Sequence, residues 1–399
     1  MKRCTVGLGL IGLVLTQIPA RADSQGTYLQ CLTNFETYAE SIWHTASYSN
    51  APADAGYWGD GASSGNGGIR GNGGVALAYA VLAEAYPGDP KLVTRLSRIR
   101  QALNYNAGAH VTGTNVCTDG HQWGWSSASS TDWQTPLWTG SMGLACLLVQ
   151  NQLPASTVQA VQQVVASEAT HRASIAPASG YVSDTKAEEN GWDSNVLALG
   201  AAWLSSNTNA ALWLTAAKKY LANTYTVANT NGDPLSSWIS TVTLYPDFAL
   251  ENHGFYHPTY QMVAGMSMGD SLLMAQLANP TVATQLQVFA EHNVLNVWSN
   301  ENHLVTWIRA NLPTLRGWTG NSMITNRTRI SHGWRRISMI RWRGGRTDNW
   351  PNSSAIGSLS MATARSSGQV TGDSTGKPSK PDGRPSRGFT GPPLTIPAG

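Results

Sequence analysis

Between about residues 71 and 297, apolar side chains recur at three- and four-residue spacing with polar ones between them. That pattern predicts amphipathic helices in pairs, over 74–85, 92–103, 137–150, 156–169, 194–204, 210–222, 260–277 and 281–297. Ser156, Ser194 and Asn209 stand at the heads of helical runs as caps, and Pro280 stands just ahead of the last. No period-two alternation is sustained enough to predict a sheet. Between the helices lie long loops rich in Trp, Gly, Asn and Asp, at 50–72, 112–136, 176–191, 227–251 and 299–317. Loops of this length in a helical body are uncommon unless they carry function. Alternating short turns and long polar loops predict an all-α fold. The expected architecture is an α/α toroid, an incomplete (α/α)6-type barrel of helical hairpins over 23–315, with its long loops on one face. A helical solenoid is the competitor, but no consensus repeats at a fixed period.

Both ends break the helical pattern. Met1-Lys2-Arg3, an apolar run over 6–15 and Ala20-Arg21-Ala22 have the three-part form of a secretory signal peptide, assigned to 1–22. The run is too short to span a bilayer. The expectation is a secreted or periplasmic protein with no membrane association after cleavage. Three cysteines then remain, Cys31, Cys117 and Cys146, from which an oxidising compartment can form one disulfide of unspecified pairing. From Arg316 onward Arg, Gly, Ser and Pro dominate. This stretch holds 13 Lys+Arg and 3 Asp+Glu, whereas 23–315 holds 10 and 20, so the net charge of +3 conceals an acidic body. Residues 316–399 read as a disordered basic tail or as a stretch outside the natural reading frame. Shifting the frame over 317–334 permits an acidic, Trp- and Tyr-rich string like the body.

Sixteen Trp and thirteen Tyr against five Phe favour groups that combine a flat apolar face with a hydrogen-bonding edge, a suitable surface for sugar rings. Trp123, Trp125, Trp133, Trp138 and Tyr57-Trp58 are candidate stacking groups, or else loop-core packing. The densest chemistry lies in 245–260, where Asp247, Glu251, His253, Tyr256, His257 and Tyr260 crowd between Ala- and Leu-rich helices. The last four share one surface if the turn is helical. His253 and His257 stand four residues apart as metal ligands can, but no third ligand is evident, so no metal or cofactor is expected. A second constellation is 188–195, read as the end of a polar loop opening a helix. Asn190, Trp192 and Asp193 are its candidates, with Glu188 and Glu189 read as solvated. Arg70, placed just before a helix, can hold a substrate carboxylate or bridge loops.

The pairing of Asn190-x-Trp192 with the later Asp247…His253-Gly-Phe-Tyr256-x-x-x-Tyr260 resembles the α/α-toroid polysaccharide lyases of the heparinase II/III and alginate lyase type. The resemblance covers 71–311 in layout. It implies β-elimination beside a uronic acid. Asn190 and His253 would neutralise the sugar carboxylate, Tyr256 or Tyr260 would serve as base and acid, and Arg70 would assist. The segment Glu189-Asn-Gly-Trp-Asp193 is also similar to the acid-bearing motif of helical-toroid glycosidases such as trehalase. An inverting hydrolase would use Asp193 with Glu251 or Asp247. A carbohydrate-binding protein without catalysis is the third reading. The expected partner is a polysaccharide or oligosaccharide met by a monomer, and no nucleic acid.

Overall fold

The computed structural model describes residues 24–127 and 132–292. The signal-peptide and tail assignments, the loop 299–317 and the end of the helix predicted over 281–297 lie outside them. The described chain is predominantly helical, as the periodicity predicts. Eight helices are α1 (Ser24–Ser41), α2 (Ile69–Ala85), α3 (Leu92–Gly108), α4 (Thr135–Val149), α5 (Ala155–Ala173), α6 (Ala187–Trp203), α7 (Ala210–Ala222) and α8 (Pro258–Ala278). A further helical stretch covers 280–292. No described helix is long and apolar enough to cross a membrane.

The helices pack in two rows. α2, α4, α6 and α8 lie side by side in that order, and α3, α5 and α7 form a second row, each against its hairpin partner in the first. Burial follows the rows. Residues 72–83 of α2 and 190–202 of α6 are buried without a break, as expected of helices enclosed on every side. α5 buries only the stripe Thr157, Val161, Val164, Val165, Glu168, Ala169 and Arg172, facing the first row. Small residues let the rows close: a Cβ on Gly143 would meet Leu199, and one on Gly200 would meet Ala169 and Trp213.

Several local expectations are corrected. α6 begins at Ala187, so the whole 188–195 motif is helical rather than loop. Ser194 is no cap, because its hydroxyl bonds Gly191 O at 2.7 Å and Ser271 at 2.7 Å, inside the α6–α8 seam. Ser156 lies within α5, and Asn209 makes no side-chain cap bond. Arg70 stands in the first turn of α2, not before it. Two short antiparallel ladders occur where none was expected, Trp43–Thr45 (β1) with Gly56–Trp58 (β2), and Glu251–Asn252 (β3) with Phe255–Tyr256 (β4). The second is a two-residue hairpin. His253 and Gly254 both take positive φ, at 56° and 77°, as its twist requires. Pro258 opens α8, where a first-turn residue needs no N–H donor. Cys31, Cys117 and Cys146 are all free thiols, with Cys117 and Cys146 in the core.

Candidate active site

The first turns of the first-row helices converge. Arg70 is the second residue of α2, Gln134 immediately precedes α4, Glu188 is the second residue of α6, and Tyr260 is the third of α8. The Arg70 guanidinium donates to Gln134 Oε1 at 3.3 Å and stands 5.9 Å from the centre of the Trp192 ring. Trp192 is stacked on its other neighbour, Trp133, at 5.8 Å and 28° between planes. Trp133 is 42 % exposed and Trp192 only 3 %, so Trp133 presents the open aromatic wall.

Glu188 faces this group. It is 7 % exposed, its carboxyl accepts no hydrogen bond from the described residues, and burial pushes its pKa up to about 8 although Arg70 pulls it down. It is therefore protonated at neutral pH, the state a buried carboxyl without donors adopts. The reading of Glu188 as solvated is thus corrected. Thr185 Oγ1 accepts the Ala187 N–H at 3.1 Å just ahead of the helix, but no side chain caps its N-terminus, and no local pattern in the sequence sets Glu188 apart from Glu189. Glu189 points differently and pairs with Lys186 at 2.7 Å, which also holds Asp184 at 2.8 Å.

The hairpin tip closes the group from the other side. His253 Nε2 lies 3.0 Å from Tyr260 Oη, and the His257 ring meets Tyr260 edge-on at 4.4 Å. Burial, then Glu188, raises the Tyr260 pKa, so the phenol keeps its proton. Burial and the neighbouring His253 lower that of His257, which favours a neutral imidazole. His253, His257 and Tyr260 thus do share one surface, brought together by a hairpin feeding a helix N-terminus. Tyr256 stands apart with its hydroxyl 3.5 Å from Gln261 Oε1.

Four expected site residues are placed elsewhere. Asn190 is fully buried. Its Nδ2 donates to Ala178 O and Asn223 O, both at 2.9 Å, and its Oδ1 accepts the Ala178 N–H at 2.9 Å, so the amide is consumed in holding loops. Asp193 is 7 % exposed and lies 3.5 Å from Arg172 Nε of α5, between the rows. Trp123 is wholly buried against Trp138, its indole N–H bonded to Asn106 O at 2.7 Å. It is core, as are Trp58 and Trp138. Asp247 closes a surface turn by accepting the Ala249 N–H at 3.1 Å.

Two more are intact but differently engaged. Glu251 accepts a hydrogen bond from the Tyr245 hydroxyl, which holds its carboxyl below the ordinary range. Trp125 lies flat on His171 of α5, at 4.5 Å and 16°, and lines an open pocket of about 620 Å³ with Thr170, Asn207 and Trp213. None of the residues lining that pocket belongs to the Arg70–Glu188–Tyr260 group. Among the described residues, no three His, Cys, Asp or Glu gather closely enough to hold a metal ion. Comparison with family models, with curated proteins and with solved structures returns no match.

Proposed function

We propose that the chain is a secreted polysaccharide lyase that cleaves a uronic-acid-containing glycan by β-elimination. The two helical rows would form part of an α/α toroid, whose first-row N-termini build the cleft. The carrying observation is the meeting of Arg70, protonated Glu188 and the His253–Tyr260 pair beside an exposed tryptophan. Trp133 stacks against a sugar ring. Arg70 and the Glu188 carboxyl bind the uronate carboxylate, the role expected of Asn190, and so acidify the proton at C5. The neutral imidazole of His257 takes that proton. Tyr260 then donates its own to the departing glycosidic oxygen and is resupplied through His253. The C4–O bond breaks as the C4–C5 double bond forms, leaving an unsaturated uronate and a new free hydroxyl.

The test is incubation with a panel of uronate polymers while ultraviolet absorbance is followed. Absorbance should rise with wild-type protein and fall by at least about a hundredfold in rate with Tyr260→Phe. New reducing ends without that absorbance would favour a second reading, a glycoside hydrolase, which the protonated Glu188 supports as a general acid. Binding without either signal would leave a carbohydrate-binding protein.

A further inference from the structure

One carboxylate outside the cleft holds the segment that builds its aromatic wall. Glu168 of α5 is wholly buried, with all its known partners in the chain between α3 and the first residue of α4. Its Oε1 accepts the Trp125 backbone N–H at 2.9 Å and lies 3.0 Å from His110 Nε2. Its Oε2 accepts the Thr135 hydroxyl at 2.6 Å. His110 is buried as well, and its Nδ1 accepts the Thr112 backbone N–H at 3.2 Å, which leaves Nε2 as the protonated nitrogen aimed at Glu168. Burial opposes the Glu168 charge, yet the bonds from His110, Thr135 and Trp125 outweigh it and lower the pKa. A buried carboxylate is tolerated only when bonded this fully, and then it fixes its donors tightly.

Thr135 is the first residue of α4, and the two residues before it are Gln134 and Trp133. Gln134 receives the Arg70 bond, and Trp133 stacks on Trp192. Glu168 is hydrogen-bonded to neither of these side chains. We propose that Glu168, supported by His110, is a positioning residue for the cleft. It anchors the start of α4 and so sets where Trp133 and Gln134 stand against Trp192 and Arg70. This rests on the reading of that group as the site, but its test does not require turnover.

Thr135→Val removes the hydroxyl and leaves the shape and the other Glu168 bonds, whereas Thr135→Ser keeps the hydroxyl. Full-length protein labelled with 5-fluorotryptophan reports each indole by fluorine NMR, with the Trp133 resonance assigned from Trp133→Phe. Thr135→Val should shift or broaden the Trp133 resonance, leave that of the core residue Trp213 in place, and be matched to wild type again in Thr135→Ser. If a uronate polymer is turned over, Thr135→Val should raise KM roughly tenfold with kcat within about twofold, since the residue acts on binding through Trp133. An unmoved Trp133 resonance in Thr135→Val overturns the proposal, as does an equal displacement of Trp213. A protein that turns over no polymer but shows the Trp133 effect would refute the lyase reading and leave the positioning role standing.

Discussion

Glu188 shows how far burial changes a residue's chemistry. In the sequence it is one charged residue among Lys186, Glu189 and Asp193, and composition gives no reason to set it apart. In the structure Lys186 pairs directly with Glu189, whereas Glu188 has no hydrogen-bond donor among the described residues; burial outweighs the pull of Arg70 and Lys186, and Glu188 holds its proton to about pH 8. The folded state therefore binds a proton that the unfolded chain releases from about 4.5 upward. Stability from this group is complete below that value and is lost as pH rises towards 8. Glu188→Gln removes the titration while keeping the shape. Its melting temperature should match wild type near pH 4 and exceed it progressively up to pH 9; a constant gap across that range would sink the assignment. Asn190 illustrates the opposite error. Its position beside Trp192 looked catalytic, but its amide is saturated by backbone groups, and Asn190→Ala should destabilise by about 1–3 kcal/mol through the donors and acceptors it strands. Equilibrium denaturation measures that loss.

At the scale of elements, α1 was not legible, because its buried stripe is Leu32, Glu36 and Ala39, with a charge at its centre. That charge is one of two points of attachment to α3, the other being Glu40, which accepts Arg98 Nη2 at 3.0 Å. Glu36 Oε1 accepts Arg95 Nε at 2.7 Å, and Arg95 is 1 % exposed. Glu36→Gln leaves the arginine in the core beside only Asp89, and should cost about 3–5 kcal/mol in denaturant unfolding. A loss below about 1 kcal/mol would mean that α1 is held by its apolar contacts instead. The first turn of α2 depends on close approach rather than charge. A Cβ on Gly71 would lie 2.4 Å from the backbone oxygen of Asn66, an atom that cannot swing away. Gly71→Ala is expected to lower stability by about 1–3 kcal/mol, against the usual gain for alanine in a helix, and to displace the adjacent Arg70. Helix α7 was predicted to its exact ends and α4 and α8 to within two residues at each end, whereas α3 and α5 begin as predicted or one residue earlier but run four or five residues further. The starts of α2 and α6 were missed, because they are polar or glycine-rich turns that the rest of the protein buries.

For the molecule as a whole, the decisive fact is that the side-by-side order α2, α4, α6, α8 brings four helix beginnings to one place. Their N–H groups add positive potential to Arg70 and to an uncharged Glu188. On the lyase reading proposed above, this group would meet the substrate carboxylate locally, against the long-range repulsion expected from the charge of 23–315. Glucuronate should raise the melting temperature of the full chain and glucose should not. The rise should shrink in high salt and vanish in Arg70→Ala. Equal shifts from the two sugars would place recognition in the tryptophans alone.

The sequence by itself determined the helical class, the pairing of helices and the segment in which His253, His257 and Tyr260 meet. Those follow from periodicity, from the positions of Gly and Pro, and from neighbours within one turn, all of which are local along the chain. Only the tertiary structure decided which polar groups remain available. Asn190, Asp193 and Trp123 were withdrawn into packing, while Arg70, Gln134 and Glu188 were brought together from residues 70, 134 and 188. Availability depends on desolvation and on partners distant in sequence, and no local pattern records either.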